Sequence, residues 1–222
     1  MNSISGLIDT YKHKGLRRQL ADTVRQKGIR DQRIIDAITK VPRHFFLDSA
    51  FAEQAYEDKA LTIGEGQTIS QPYTVAYQTE LLDIKEKDKV MEIGLGSGYQ
   101  ACILIELGAI VYSIERIQKL YEKAKKLLYK MNYHPYMFVG DGTLGLPDYA
   151  PFDKILVTAA APEIPQKLVD QLKVGGIMVV PIGDKDTQIM MKVFKISEKD
   201  IIKQEFSYFR FVPLIGKEGW KK

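Results

Sequence analysis

The chain has 222 residues, 45% hydrophobic and 27% charged, with 32 Lys+Arg against 28 Asp+Glu. That balance excludes a disordered or fibrous chain, and the small excess, spread along the sequence, reads as a solvated surface and not a nucleic-acid footprint. One cysteine, Cys102, excludes an internal disulfide and fits a reducing compartment.

The N-terminal stretch MNSISGLIDTYKHK lacks an apolar run long enough for a secretory signal. No segment approaches the roughly 18 consecutive apolar residues of a membrane span, so a cytoplasmic protein is expected. Leu16, Leu20, Val24, Ile29, Ile34, Ile35 and Ile38 recur at helical spacing, broken at Gly28, with Asp31 as N-cap of a second helix. Pro42 ends that helix. From Tyr56 to Pro72, the text EDKALTIGEGQTISQP has no sustained period and reads as a long ordered loop. TVAYQTELLDI (74–84) then reads as a helix whose Tyr77 and Gln78 are candidate pocket residues, with a core-facing position the favoured account.

From Lys89 strands and helices alternate. KVMEI (89–93), AIVYSIE (109–115), PYMFVG (135–140), FDKILVTAA (152–160) and GGIMVVPIG (175–183) are predicted strands. Helices are predicted over YQACILIEL, 117–131 and PQKLVDQL (165–172). Such alternation means a parallel sheet with crossover helices, and runs such as ILV and IMVV suit strands buried on both faces. QIMMKVFKI and KQEFSYFRFVPL follow as an antiparallel hairpin. The predicted fold is α/β: a Rossmann-like, doubly wound, mostly parallel sheet with antiparallel C-terminal strands and an N-terminal helical extension. It forms one domain over 1–222, comprising an extension (1–55), an active-site loop (56–73), a cofactor-binding core (74–183) and a C-terminal hairpin with a substrate edge (184–222).

The most informative text is VMEIGLGSGYQ (90–100), a strand and glycine turn suited to an adenosine-containing cofactor. Gly94, Gly96 and Gly98 allow positive φ and close backbone approach beside the unpaired N–H groups of a helix start. By itself the turn is equally a tight strand-to-helix connection. The spacing GxGxG departs from the dinucleotide fingerprint GxGxxG. Glu92, two residues before the first glycine, would repel a pyrophosphate and suits a cofactor with a sulfonium and an ammonium group. Glu115 ends the next strand, where it can accept from both ribose hydroxyls; the alternative is a helix-start acid facing the dipole. Asp141-Gly142 ends the third, where the acid can meet an adenine amino group and the glycine leaves the ring room. Ligands of open α/β sheets lie beyond such strand ends.

With these motifs the region 75–183 resembles the class I S-adenosylmethionine-dependent methyltransferases. The loop GEGQTISQPYTVAYQTELL (64–82) resembles the signature of the protein-L-isoaspartate O-methyltransferases. So do GIRDQRIIDAITKVPRHFF, FDKILVTAAAPEIPQKLVDQLKVGGIMVVPIG and FVPLIGKEGW, together covering nearly the whole chain. Leu95 in the glycine turn and Thr62 in the loop are conservative departures. The resemblance implies methyl transfer from S-adenosyl-L-methionine, leaving S-adenosyl-L-homocysteine, to the free α-carboxylate of L-isoaspartyl residues in damaged proteins and peptides. It implies that the three glycines wrap the methionine part, Glu115 holds the ribose, and Asp141 with Gly142 holds the adenine. Thr68 and Ile69 would also border the cofactor.

Ser70 corresponds to the family's active-site serine, donating to one carboxylate oxygen. Without the resemblance it reads equally as a turn or helix-capping hydroxyl. Gln71, Val212, Pro213 and Leu214 would receive the peptide, the last three through backbone. An ionised carboxylate needs no general base, and His13, His44 and His134 lie outside the site motifs and read as structural. No metal, nucleic acid or membrane partner is expected, and the chain is expected to act as a monomer. Two other readings remain. A methyltransferase for small molecules or nucleic acid would need a base or an Asn-Pro-Pro-Tyr strand end, where this chain has Thr158-Ala159-Ala160-Ala161-Pro162. A non-catalytic cofactor-binding module would leave the TISQP loop without purpose.

Overall fold

The computed structural model describes residues 8–221; the first seven residues of the N-terminal extension and Lys222 lie outside it. Helix α1 (Tyr11–Gln26) starts in a capping box in which the Thr10 hydroxyl accepts from His13 N–H and the His13 ring accepts from Thr10 N–H. Asp31 caps α2 (Gln32–Lys40) through Arg33 N–H, as its position before the apolar run implies.

The segment predicted as a long ordered loop contains a hairpin. Strands β1 (Leu61–Gly64) and β2 (Gln67–Ile69) pair antiparallel, and Glu65 and Gly66 both adopt positive φ between them. Alternate residues Leu61, Ile63 and Ile69 are buried. Strands of four and three residues are too short to show a period in sequence. Helix α3 (Pro72–Leu82) opens with proline at its first turn, where no N–H is needed.

The main sheet contains β3 (Lys89–Ile93), β4 (Ile110–Glu115), β5 (Tyr136–Val139), β6 (Phe152–Val157), β7 (Leu172–Gly183), β8 (Gln188–Lys195) and β9 (Ile201–Phe209). Their order is β5-β4-β3-β6-β7-β8-β9. Pairing is parallel from β5 to β7 and antiparallel through β8 and β9. The crossovers carry α4 (Tyr99–Glu106), α5 (Gln118–Lys130) and the short α6 (Gln166–Asp170). This is the predicted α/β architecture.

Successive residues of the central strands feed two separate cores. Val90, Val111, Leu156, Ile177 and Val179 join one with α1 to α5; Met91, Ile93, Ile114, Ile155 and Met178 join the other with Leu168 and Val169 of α6. Burial on both faces follows from the continuous apolar runs.

The C-terminal text departs from its prediction. KQEFSYFRFVPL is not one strand: β9 stops at Phe209, and Val212–Leu214 crosses to the end of β6. There Ala160 N–H donates to Val212 C=O and Leu214 N–H donates to Ala160 C=O, both at 2.8 Å. Pro213 between them has no N–H, so it pairs only at an edge. Likewise β6 ends at Val157, because Thr158 to Ala161 turn off to meet this segment.

Candidate active site

The carboxyl ends of β3, β4 and β6 open onto a cleft, the place where open α/β sheets bind their ligands. Its lining includes Thr68, Ile69, Ser70, Gly94, Gly96, Glu115, Gly142, Val212, Pro213 and Leu214, all singled out in the sequence. The lining also includes Thr158, Ser97 and Ile117.

The glycine turn is built by packing as much as by φ. Gly94, Gly96 and Gly98 have φ of 97°, 52° and 88°. A Cβ on Gly94 would lie 2.5 Å from Thr158 Oγ1, the hydroxyl that donates toward the Ile93 and Gly94 carbonyls. At Gly96 the nearest atom to such a Cβ is a methyl of Ile63 at 3.6 Å, so a side chain there would occupy the cleft itself. On Gly142 it would meet Ile93 at 2.6 Å.

Glu115 is buried, and its two oxygens accept from Gly96 N–H and Ile117 N–H, each at 2.8 Å. A carboxylate offers about four lone-pair directions, so two remain for a diol facing the cleft. Asp141 stands behind Gly142. One oxygen accepts from Thr143 N–H and Thr143 Oγ1, the other from Lys217 N–H. Partial burial pushes its pKa up, but these donors outweigh that and hold it below the usual carboxylate range. It thereby ties the C-terminal segment to the end of β5 beside Gly142.

Glu92 occupies a different place from the other acids. It shares the parity of Val90, lies fully buried opposite Ser113, and accepts from Ser113 Oγ at 2.6 Å. It does not line the cleft. Burial raises its pKa to about 8, with Glu115 adding to the rise, so it is protonated at neutral pH. Gly98 too stands behind the cleft, against Leu128.

Ser70 follows β2 and lies on the wall between the cleft and a second groove. Thr68, Ser70, Thr158 and Val212 border both; Lys27, Gln71, Tyr73, Tyr208, Phe209 and Arg210 border the groove alone. Ser70 Oγ makes no hydrogen bond with another described residue, whereas its carbonyl accepts from Arg43 Nη2 at 2.8 Å. Asp58 holds the turn that follows. One oxygen accepts from Tyr73 N–H, in the first turn of α3, and the other from Gln71 Nε2 and Lys27 Nζ. Burial opposes ionisation of Asp58, yet Lys27 and these donors keep its pKa low. Sequence reading missed both Asp58 and Arg43. The first contacts residues 13 to 31 positions away; the second carries one signal, a charge inside the apolar run VPRHFFL.

The three histidines lie elsewhere. His13 and His44 stack at 3.9 Å, and with Asp9 they bring three donor atoms within 4.8 Å of one another. Those atoms are engaged: Arg17 takes both Asp9 oxygens, and His44 bonds Tyr56 OH and the Ile8 carbonyl. Burial lowers His44 to about 4, so it is neutral.

A family model described as protein-L-isoaspartate (D-aspartate) O-methyltransferase matches residues 15–219. The chain belongs to that family. Relatives bearing the name protein-L-isoaspartate O-methyltransferase include one from Cytophaga hutchinsonii, 56% identical over 96% of both chains. Another, from Dictyoglomus turgidum, is 50% identical over 96% of this chain and 97% of its own. A solved protein-L-isoaspartate O-methyltransferase superposes with a TM-score of 0.83 at 31% identity, over 91% of this chain and 67% of that one. A Plasmodium falciparum structure described as a β-aspartate methyltransferase in complex with S-adenosyl-L-homocysteine shares the fold, with a TM-score of 0.77 at 24% identity, over 90% of this chain and 98% of that one. As a family member the protein is an O-methyltransferase that uses S-adenosyl-L-methionine and acts on L-isoaspartyl residues of proteins. The glycine cradle, the spare acceptor capacity of Glu115 and the space beside Gly142 fit that cofactor.

Proposed function

We propose that Ser70 presents the free α-carboxylate of an L-isoaspartyl residue to the cofactor cleft, starting the repair of damaged proteins and peptides. The observation that carries this reading is the position of Ser70: its hydroxyl, without a partner among the described residues, stands on a wall common to cleft and groove. Bound in the cleft, S-adenosyl-L-methionine supplies an electrophilic methyl on a positively charged sulfur. The acceptor is already ionised at neutral pH, so no residue has to remove a proton. Ser70 Oγ donates to one carboxylate oxygen and leaves the other free, and closing the wall excludes water and fixes the approach.

In the cleft, Gly94 and Gly96 hold the methionine part, with Thr68 and Ile69 closing over it, while Gly98 and Glu92 stand behind the turn and shape it without lining the cleft. Glu115 accepts from the ribose hydroxyls, and Asp141 with Gly142 borders the adenine. Gln71 in the groove and the outer edge of Val212–Leu214, which runs from the groove into the cleft, receive the peptide. Val212 C=O and Leu214 N–H are spent on Ala160, and alternation turns the Pro213 carbonyl outward. Recognition through backbone suits an enzyme that meets isoaspartate in many sequences.

The four segments proposed from sequence act as one domain and one monomeric enzyme of the cytoplasm, with no metal, nucleic acid or membrane partner. The single buried free thiol supports the cytoplasmic placement, since it fits a reducing compartment. Ser70→Ala tests the central role. It should lower kcat at least tenfold while S-adenosyl-L-homocysteine binds within threefold of normal; unchanged turnover would refute the role of Ser70.

A further inference from the structure

Arg43 is a completely buried charge at the start of the turn Arg43–Phe46, and among the described residues no carboxylate hydrogen-bonds to it. Its Nε and Nη1 have no partner among the described residues. Asp58, the acid that most supports its charge, is already bonded to Tyr73, Gln71 and Lys27. Burial lowers its pKa to about 10, which leaves it protonated at neutral pH. Desolvating a cation without a paired acid costs stability, and an apolar side chain of similar size would fill the space more cheaply. The cost calls for a return in function.

Its two contacts indicate which. The guanidinium lies 4.9 Å from the ring centre of Tyr99, the first residue of α4 after the glycine turn and part of the cleft lining. Its Nη2 donates to the Ser70 carbonyl at 2.8 Å and reaches Lys59 C=O at 3.5 Å. Arg43 therefore bridges the cofactor turn and the backbone of the residue between cleft and groove. A planar fork can stack on a ring and donate in its own plane at once, which an ammonium cannot.

We propose that Arg43 is a positioning residue for methyl transfer: it locks the Ser70 backbone against the Tyr99 end of the cofactor turn, so that Ser70 Oγ faces the acceptor carboxylate. This rests on the role of Ser70 given above. Acting through Ser70, it should influence turnover far more than cofactor binding, and its effect should vanish where the hydroxyl is absent.

A double-mutant cycle separates the possibilities. Arg43→Gln should lower kcat at least tenfold with an isoaspartyl peptide while S-adenosyl-L-homocysteine affinity changes less than threefold, and Arg43→Lys should restore part of that turnover. Adding Arg43→Gln to Ser70→Ala should slow the enzyme less than threefold further. If Ser70→Ala is impaired and Arg43→Gln multiplies the loss by its full factor, Arg43 acts independently and the proposal fails alone. If Ser70→Ala keeps normal turnover, the Ser70 reading fails and the proposal with it. Should Arg43→Gln not fold, the same cycle run with Arg43→Lys, which keeps the charge and loses the stacked fork, decides by the same criterion of non-additivity.

Discussion

Glu115→Ala is the substitution whose effect the geometry defines best. The carboxylate is buried at the end of β4, and each oxygen accepts one backbone N–H at 2.8 Å, from Gly96 and from Ile117. Two acceptor directions remain toward the cleft, matching two vicinal hydroxyls. Charge-assisted hydrogen bonds contribute nominally about 1.5–3 kcal/mol each. Taking the lower value for both, since bonds sharing one carboxylate are not additive, the variant should lose about 3 kcal/mol of cofactor affinity. At about 1.4 kcal/mol per decade that is a roughly 150-fold rise in Kd. Losing the Gly96 contact also loosens the glycine turn, so some of the effect arises from the site and not from the ligand. Calorimetric titration with S-adenosyl-L-homocysteine, together with a Tm to confirm folding, measures it. A folded Glu115→Ala protein with a Kd within threefold of normal would refute the ribose assignment.

Gly94→Ala should destabilise by about 2–3 kcal/mol, because φ is 97° and the new Cβ would displace the Thr158 hydroxyl; thermal unfolding should show a Tm lower by roughly 5–10 °C. Glu92→Gln tests a buried acid whose pKa rises from 4.5 to about 8 on folding. Its contribution is complete below about pH 4.5 and is lost progressively as pH climbs to about 8, with a slope of at most about 1.4 kcal/mol per unit. The variant, neutral throughout, should lose less stability than the parent between pH 5 and 9 in denaturant titrations; parallel curves would contradict a protonated Glu92. Asp58→Ala removes the distant cap of α3 and the tether on Gln71. It should cost about 1–2 kcal/mol, speed amide exchange at residues 71–75, and reduce kcat/KM more than it weakens cofactor binding; unaltered exchange there would contradict the capping role.

The sheet was legible because strands buried on both faces leave continuous apolar runs, and because each run is followed by a helical period. The glycine turn, Glu115 and Asp141-Gly142 were legible for a related reason: they sit at the ends of those runs. The same double burial hid the orientation of Glu92. With no polar face on β3, nothing in the text showed that Val90 and Glu92 point together toward the helical layer. The hairpin β1–β2 was too short to carry a period. Pro213 gave notice of an edge, but the partner that draws Val212–Leu214 off β9 is Ala160, 53 residues earlier. Arg43 and Asp58 act across the fold on the backbone of residues 70–73, and contacts of that kind leave almost no local pattern.

The central claim, carboxylate methylation of isoaspartyl residues at the wall bearing Ser70, meets its most direct test in a paired-substrate assay. The protein is incubated with methyl-labelled S-adenosyl-L-methionine and two peptides of one sequence, one carrying L-isoaspartate and the other normal aspartate. Base-labile methyl ester on the isoaspartyl peptide alone is the predicted result. Equal labelling of both peptides, or label on an amine that survives base, would contradict it.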